Sequence, residues 1–414
     1  MRLLIIGSLV RAQQGSKGDS GKHRLPKCPT PLLNSHKTPP LTDYNMPTAA
    51  KPTLALLLAV CCSTTEAAPD YDQLWSHFTL YESEDEGFIH SFALSGRLQG
   101  DLAWVDADEG DFDDELWRRF RFGFKSELAN DWVVQLEADF DLNQGKDDIY
   151  SRLTDAYVGW NPDDTLDLRF LKHSAGFTLD GATSSKKLLT MERNNLTNNL
   201  WFTAEYFSGV SAKGELDSGL TYRAGIFSGD PDNEINFKKG SYFTLTSLGW
   251  DFATDTDMDR ASVRIDYVYQ DEDPDNNTRD FSQVINLVSQ WQKTNWGLWT
   301  DLSAGHGLAE QSDIWGLVLM PFYNSTDTLQ WVGRYTYLDS DAANGLRLGR
   351  YEREIVEGRG DEYEEVYVGV NYFFYGHKLK WQSGVQWARM EDTIEDGGRY
   401  DGWAFTTGLR IYWY

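Results

Sequence analysis

Residues 115–128 read ELWRRFRFGFKSEL, and from Arg119 to Lys125 the order is basic, Phe, basic, Phe, Gly, Phe, basic. The whole chain carries 38 Lys and Arg against 64 Asp and Glu, a formal charge of −26, so cations gathered this closely stand out against an acidic background. Guanidinium and ammonium groups donate charge-assisted hydrogen bonds to oxyanions, and a guanidinium can do so through two parallel N–H groups. Several such groups in series let an anion enter and also leave, which is the chemistry of passage rather than storage. The competing role is structural, with the same cations neutralised by carboxylates on the same face.

A face of this kind needs a strand. Neighbouring side chains on a β-strand point to opposite sides, so the cations take one face and Phe120, Phe122 and Phe124 the other. From residue 90 onward about sixteen segments alternate in this way, near 90–105, 115–128, 131–143, 152–160, 165–172, 202–214, 219–229, 241–253, 259–271, 279–293, 295–306, 311–320, 327–338, 362–375, 378–391 and 400–413. Tight connections (AND, NPDD, ELDSG, KTN, YGH) mostly follow even segments, and longer acidic or Gly-rich ones mostly follow odd segments. That rhythm belongs to a membrane barrel with turns at one end and loops at the other.

The apolar parity agrees. Phe92, Leu94, Leu98, Leu102 and Trp104 share one face, as do Trp132, Val134, Leu136, Ala138 and Phe140, and as do Leu379, Trp381, Val385 and Trp387. The chain holds 16 Trp, 21 Tyr and 21 Phe, and its Trp and Tyr gather at segment ends, where interfacial girdles belong. After residue 70 there is no run of 18 apolar residues to suggest a membrane helix. The expectation is an all-β chain, a transmembrane antiparallel β-barrel of about 16 strands, with a long third outside loop folding into the lumen. A cation placed at lipid-facing Leu136 should be costly, and one at its neighbour Glu137 tolerated.

The N-terminus reads as processing. MPTAAKPTLALLLAVCCSTTEAAPD begins at Met46, with Lys51 before an apolar run from Leu54 to Cys62 and small residues ahead of a cleavage point after Ala67. The expected organisation is 1–45 an upstream extension from a mis-assigned start, 46–67 a signal peptide, 68–89 a short periplasmic segment and 90–414 the barrel. Cys28, Cys61 and Cys62 all precede the β-rich part. Without residues 1–67 the chain has 30 basic and 61 acidic residues. Clusters such as DADEGDFDDE, DEDPDN, GDEYEE and EDTIEDGG read as acidic loops.

With the apolar parity toward lipid, the inward basic set is Arg97, Arg119, Arg121, Lys125, Arg169, Arg223, Arg264, Arg334, Lys380 and Arg410. The inward acids are Asp101, Glu137, Asp139, Asp155, Asp167 and Asp266, partners for wall salt bridges if the structural role holds. The stretch 173–201 is the third outside loop, either solvated outside or folded inward with Lys186 and Lys187 near a constriction. Arg347, Arg350, Arg353 and Arg359 in another outside loop either collect anions at the mouth or pair with adjacent Glu residues. His77, His90, His173, His306 and His377 show no nucleophile motif and no metal spacing, so neither catalysis, a metal nor a cofactor is expected.

The stretches RRFRFGFKSELANDWVVQLEADF, LTDAYVGW, LDGATSSKKLLTMERN, NGLRLGRYERE and VYVGVNYFFYGHKLKWQSGVQWAR, with the final YDGWAFTTGLRIYWY, occur in that order between residues 90 and 414. This ordered set resembles the phosphate/pyrophosphate-selective porins (porins O and P) of Gram-negative outer membranes. The resemblance implies a sixteen-stranded barrel, a homotrimer, an arginine ladder and a lysine cluster near the constriction, with Arg119 and Arg121 in the first basic strand and Lys186 in the TSSK loop. LKHSAGF stands where the family often has Phe-Lys-x-Pro-Phe. The expected function is an anion-preferring outer-membrane channel for phosphate or similar oxyanions, in contact with lipid and lipopolysaccharide and with no nucleic-acid partner. The alternative is a general diffusion or carbohydrate porin.

Overall fold

The computed structural model describes residues 70–83, 87–145, 148–202, 205–230 and 233–414. The expected extension, signal peptide and cleavage point lie outside the described residues. A helix, Tyr71–Ser76, and a short strand, β1 (Thr79–Glu82), precede the barrel.

The barrel strands are β2 (Ile89–Ala107), β3 (Gly110–Leu128), β4 (Trp132–Phe140), β5 (Tyr150–Asp163), β6 (Leu166–Ser174), β7 (Tyr206–Glu215), β8 (Leu220–Ser228) and β9 (Tyr242–Asp251). They continue with β10 (Arg260–Gln270), β11 (Phe281–Lys293), β12 (Trp296–Gly307), β13 (Ile314–Asn324) and β14 (Leu329–Ser340). A two-stranded ribbon, β15 (Leu346–Arg347) with β16 (Arg359–Gly360), then interrupts the series before β17 (Glu362–Tyr375), β18 (Leu379–Glu391) and β19 (Tyr400–Trp413). Each barrel strand pairs antiparallel with the next, and β19 returns to pair with β2. The ring is therefore closed with sixteen strands, and closure removes the sheet edges that lipid cannot solvate.

The outer surface is apolar at mid-height. Leu136, Ile265, Ile285, Leu302, Val368 and Val385 are exposed there. Trp132, Trp250, Trp296, Tyr323, Trp331 and Tyr372 are exposed near the short connections, and Trp104, Tyr150, Tyr242, Tyr269, Trp315 and Trp403 near the long ones. These two aromatic rings flank the apolar belt, as the bilayer's two interfaces require. The opposite parity is buried and charged, with Arg97, Arg121, Glu137, Asp266, Arg334 and Lys380 among its members.

Two expectations of a loop need correction. GDEYEE is strand apart from Asp361, because Gly360 closes β16 and β17 begins at Glu362. DADEGDFDDE is mostly strand, because β2 and β3 run nineteen residues each and turn only at Asp108 and Glu109. The register continues through Asp106↔Asp111, so this acidic stretch is a long hairpin. Before the barrel, β1 pairs with residues 91–93 of β2, beyond the point where β19 stops at Gly96. The helix ahead of it stacks Tyr71 on Tyr375 with centroids 5.5 Å apart, and its Trp75 Nε1 donates to the Tyr412 carbonyl at 2.8 Å.

Candidate functional site

The opening motif resolves into local geometry. In β3, Arg119 lies opposite Gln99 and Arg121 opposite both Arg97 and Asp139. Gly123 shares the inward parity, and a Cβ there would sit 1.9 Å from the Leu136 carbonyl oxygen, so glycine is what lets β3 and β4 approach. The pairing jumps from Gln99↔Arg119 to Gly100↔Trp117, which leaves Arg118 as the extra residue of a bulge. Arg118 thereby turns to the inward side, where it pairs with Glu192, while Arg119 donates to Gln99 Oε1 at 2.8 Å.

Most inward cations have partners. Arg97 pairs with Glu137 at 2.9 Å and donates to Ser185 Oγ at 2.7 Å. Arg121 lies 3.4 Å from Asp139 and 3.6 Å from Glu205, with its guanidinium over the Tyr206 ring. Arg169 pairs with Asp167 at 2.8 Å and Arg264 with Asp266 at 2.7 Å. Arg334 pairs with Glu365 at 2.6 Å, and Arg410 pairs with Asp101. Lys125 stands apart at the short-connection rim, 3.5 Å from Glu127 and over the Tyr414 ring.

The remaining donors grip the backbone of the 175–205 connection. Lys380 Nζ donates to the Leu188 carbonyl at 2.5 Å, Asn371 to Leu189 at 2.9 Å, Arg334 to Glu192 at 2.8 Å and Arg264 to Thr178 at 2.9 Å. Arg223 donates to the Gly176 carbonyl. Carboxylates do the converse, since Asp266 accepts from the Thr178 N–H at 3.1 Å and Asp301 from the Leu179 N–H at 2.7 Å. With Arg410 donating to the Met191 carbonyl at 3.4 Å, one connection thus touches inward residues of β2, β3, β8, β10, β12, β14, β17, β18 and β19.

Two places gather cations, and the first of them keeps an excess of positive charge. Around Arg119 stand Arg118, Arg121 and Arg193, with Arg152 near Asp139, against the carboxylates of Glu192, Glu205 and Asp139. Burial opposes ionisation of Glu205, but the guanidiniums of Arg193, Arg121 and Arg152 outweigh it and hold its carboxyl down at about 2. Among the described residues, Arg119 has no carboxylate within ion-pair distance, and Gln99 is the acceptor of its hydrogen bond. The second place is a cavity of about 890 Å³ toward the short-connection end. Lys213, Arg223 and Arg264 line it, with Asp167 beside them and Asp164, Glu215, Asp217 and Asp251 toward the turns, so carboxylates outnumber cations there.

Of the two loop lysines, Lys186 donates to the Tyr414 carbonyl oxygen at 2.9 Å and lies over the Tyr412 ring. Burial, reinforced by Arg97, pushes its ammonium down to about 8. Lys187 is exposed. The structure therefore brings Arg97, Arg119, Arg121 and Lys186 around one wall and Arg169, Arg223 and Arg264 around another. It leaves Lys125 at the rim, and it commits Arg334 and Lys380 to the connection. His173 packs between Tyr157 and Phe227 and meets Ser211 Oγ at 2.7 Å, a structural setting.

Several residues of these two places escape the alternation. Arg118 sits on the lipid parity by count, and a bulge leaves no period-two trace. Glu192, Arg193 and Glu205 lie in a connection without periodicity. Lys213 carried a readable signal, since it shares the parity of Ser211 and lies opposite Arg223.

A closed sixteen-stranded barrel with an apolar belt, two aromatic girdles and a charged interior has the architecture of an integral outer-membrane porin. Residues 92–293 match the family described as phosphate-selective porin O and P, a stretch that runs from β2 to the end of β11. Porin O of Pseudomonas aeruginosa is 27% identical over 207 residues, which covers 44% of this chain and 42% of that protein, so the match spans less than half of the relative. Among solved structures, OmpF of Salmonella typhi in complex with daunomycin superposes with a TM-score of 0.56 at 13% identity, covering 80% of this chain and 100% of that one. An anion-selective porin from Comamonas acidovorans gives 0.55 at 10% identity, covering 78% and 99%. At such identities these two speak to the fold alone.

Proposed function

We propose that this porin is an anion-preferring channel for phosphate or similar oxyanions, narrowed by the 175–205 connection lying across the lumen. The observation that carries the reading is the local excess of guanidinium around Arg119. Five arginines (Arg118, Arg119, Arg121, Arg152, Arg193) stand there against three carboxylates (Glu192, Glu205, Asp139). At physiological ionic strength the screening length is about 8 Å, so such a cluster governs an ion beside it more than acidic outer loops do. A family named for phosphate selectivity and an anion-selective porin of the same fold support the reading. The second reading, a general diffusion porin, is favoured by the ion pairs that neutralise most of the other wall arginines.

The test is a reversal potential in a salt gradient across a planar bilayer, followed by phosphate titration of the chloride current. Arg119→Ala is the informative variant, because Arg119 holds no carboxylate whose loss would disturb the fold. It should weaken phosphate inhibition by roughly tenfold, the scale of one charge-assisted hydrogen bond of about 1.5 kcal/mol. A cation-selective wild type, or unchanged inhibition in Arg119→Ala, leaves the general diffusion porin. Export by a leader ending at Ala67, a periplasmic segment at 68–89 and a homotrimer complete the proposal. N-terminal sequencing of outer-membrane protein and sizing in mild detergent check the first and the last.

A further inference from the structure

The connection 341–361 between β14 and β17 carries four arginines, and the alternatives for it in the sequence were an anion-collecting mouth or local ion pairs. Its structure is different, because it bends back over the barrel. Tyr351 is buried and donates its hydroxyl to Asp101 Oδ2 on β2 at 2.7 Å. The Gln386 side chain on β18 donates to Glu352 Oε1. Asn195 and Asn199 of the 175–205 connection donate to the Arg347 carbonyl at 2.8 and 3.0 Å, and the Arg347 N–H returns a bond to Asn199 Oδ1 at 2.8 Å. Leu346, Leu348 and Val356 are buried in one apolar cluster with Leu196 and Leu200. Rooted at β14 and β17, the segment thus spans past β18 and β19 to β2.

Glu352 is the polar contact of this segment that changes charge near neutrality. It is 3% exposed. Facing it are Glu365 and Tyr363 on β17, Arg334 on β14 and Tyr400 on β19. Arg353 lies in its own segment, and Glu192 and Arg193 lie across a cavity of about 30 Å³. Arg334 is already engaged by Glu365 at 2.6 Å, so an ionised Glu352 would be a second carboxylate beside one guanidinium.

We propose that the 341–361 segment is a lid on the outer mouth of the pore, docked while Glu352 carries a proton and released when it does not. Burial, and behind it the Glu365 carboxylate, raises the Glu352 carboxyl from its ordinary 4.5 to about 7, against the pull of its own backbone N–H. The docked segment therefore holds the proton more tightly than the free one. Docking is strongest below about 4.5, weakens as pH rises and is weakest above about 7. One coupled proton changes the ratio of closed to open pores by at most about tenfold per pH unit within that window. The lid needs the barrel to be a pore but is independent of which ion the pore prefers.

The experiment is single-channel recording of the full barrel in planar bilayers, with both chambers taken from pH 8 to pH 5. Wild type should close increasingly, and Glu352→Gln should be closed-prone and pH-insensitive throughout. Tyr351→Phe, which lacks the bond to Asp101, should stay open at pH 5. A wild-type current that ignores pH over this range, or a Glu352→Gln pore that keeps the wild-type pH dependence, overturns the lid. A reversal potential taken at pH 8 in the same membranes reports separately on ion preference.

Discussion

Arg334→Met should lower the barrel's unfolding free energy by about 3–5 kcal/mol, the cost of leaving one partner of a buried ion pair behind. Arg334 and Glu365 are both about nine-tenths or more buried, with side chains 2% exposed each, and meet at 2.6 Å. The guanidinium also donates to Thr190 Oγ1 at 2.9 Å and to the Glu192 carbonyl at 2.8 Å, and it lies over the Tyr367 ring. Removing it strands the Glu365 carboxylate with the hydroxyls of Tyr363 and Thr336 as its donors, and loosens the 175–205 connection at once. The double variant Arg334→Met with Glu365→Leu should recover most of the loss, because replacing both members of a buried pair by apolar groups is often neutral. Urea unfolding from lipid bilayers measures both. A single variant within 1 kcal/mol of wild type would mean that this pair does not hold the connection.

The same observation separates what the sequence made legible from what it did not. The ring of strands was legible because lipid on one side and charge on the other impose period two, and that period recurs strand by strand from β2 to β19. Segment ends were less legible where charge runs on through a hairpin, as in Asp106–Asp114, since strands rising beyond the membrane need no apolar face. The lumen was legible as a set of residues but not as an arrangement. Arg97, Arg121, Arg169, Arg264, Arg334 and Arg410 all take the parity expected of them. What each one meets depends on connections without periodicity, and those connections supply Ser185, Glu192, Glu205 and the carbonyls that accept from Lys380 and Arg223. Arg118 shows the other limit, because one bulge reverses the assignment of a residue whose neighbours are assigned correctly.

Lumen cations therefore divide by what holds them. Lys380 and Arg334 are fully engaged with the backbone of the 175–205 connection or with carboxylates. They position that connection, and any effect on permeation passes through the width it leaves. Arg119 has no carboxylate within ion-pair distance among the described residues and donates to Gln99 rather than to the connection, so in the proposed channel its charge is the part of the wall left to act on a solute. Glu137 belongs with the engaged group. It is buried against Arg97, with Thr154 Oγ1 donating to its backbone carbonyl, so the tolerance expected of a water-facing position does not hold there.

Leu136→Arg should cost about 2–4 kcal/mol, the penalty for a cation at the bilayer midplane on the lipid face of a barrel. Leu136 is the central residue of β4, lies opposite Phe124 on one side and Ala156 on the other, and is 40% exposed on the apolar belt. An arginine there has about four residues of strand to either girdle, roughly 13 Å at 3.3 Å per residue, farther than its side chain can reach to water. Glu137→Leu should also destabilise, for the opposite reason, because it leaves Arg97 buried without its carboxylate. The two losses are separable. The Leu136→Arg penalty should shrink in thinner bilayers, where the midplane lies closer to the headgroups. The Glu137→Leu penalty should ignore lipid thickness and be relieved by adding Arg97→Met. Equal dependence on thickness for both variants would mean that β4 does not present these neighbours to lipid and lumen respectively, and the parity on which the barrel assignment rests would fail at its centre.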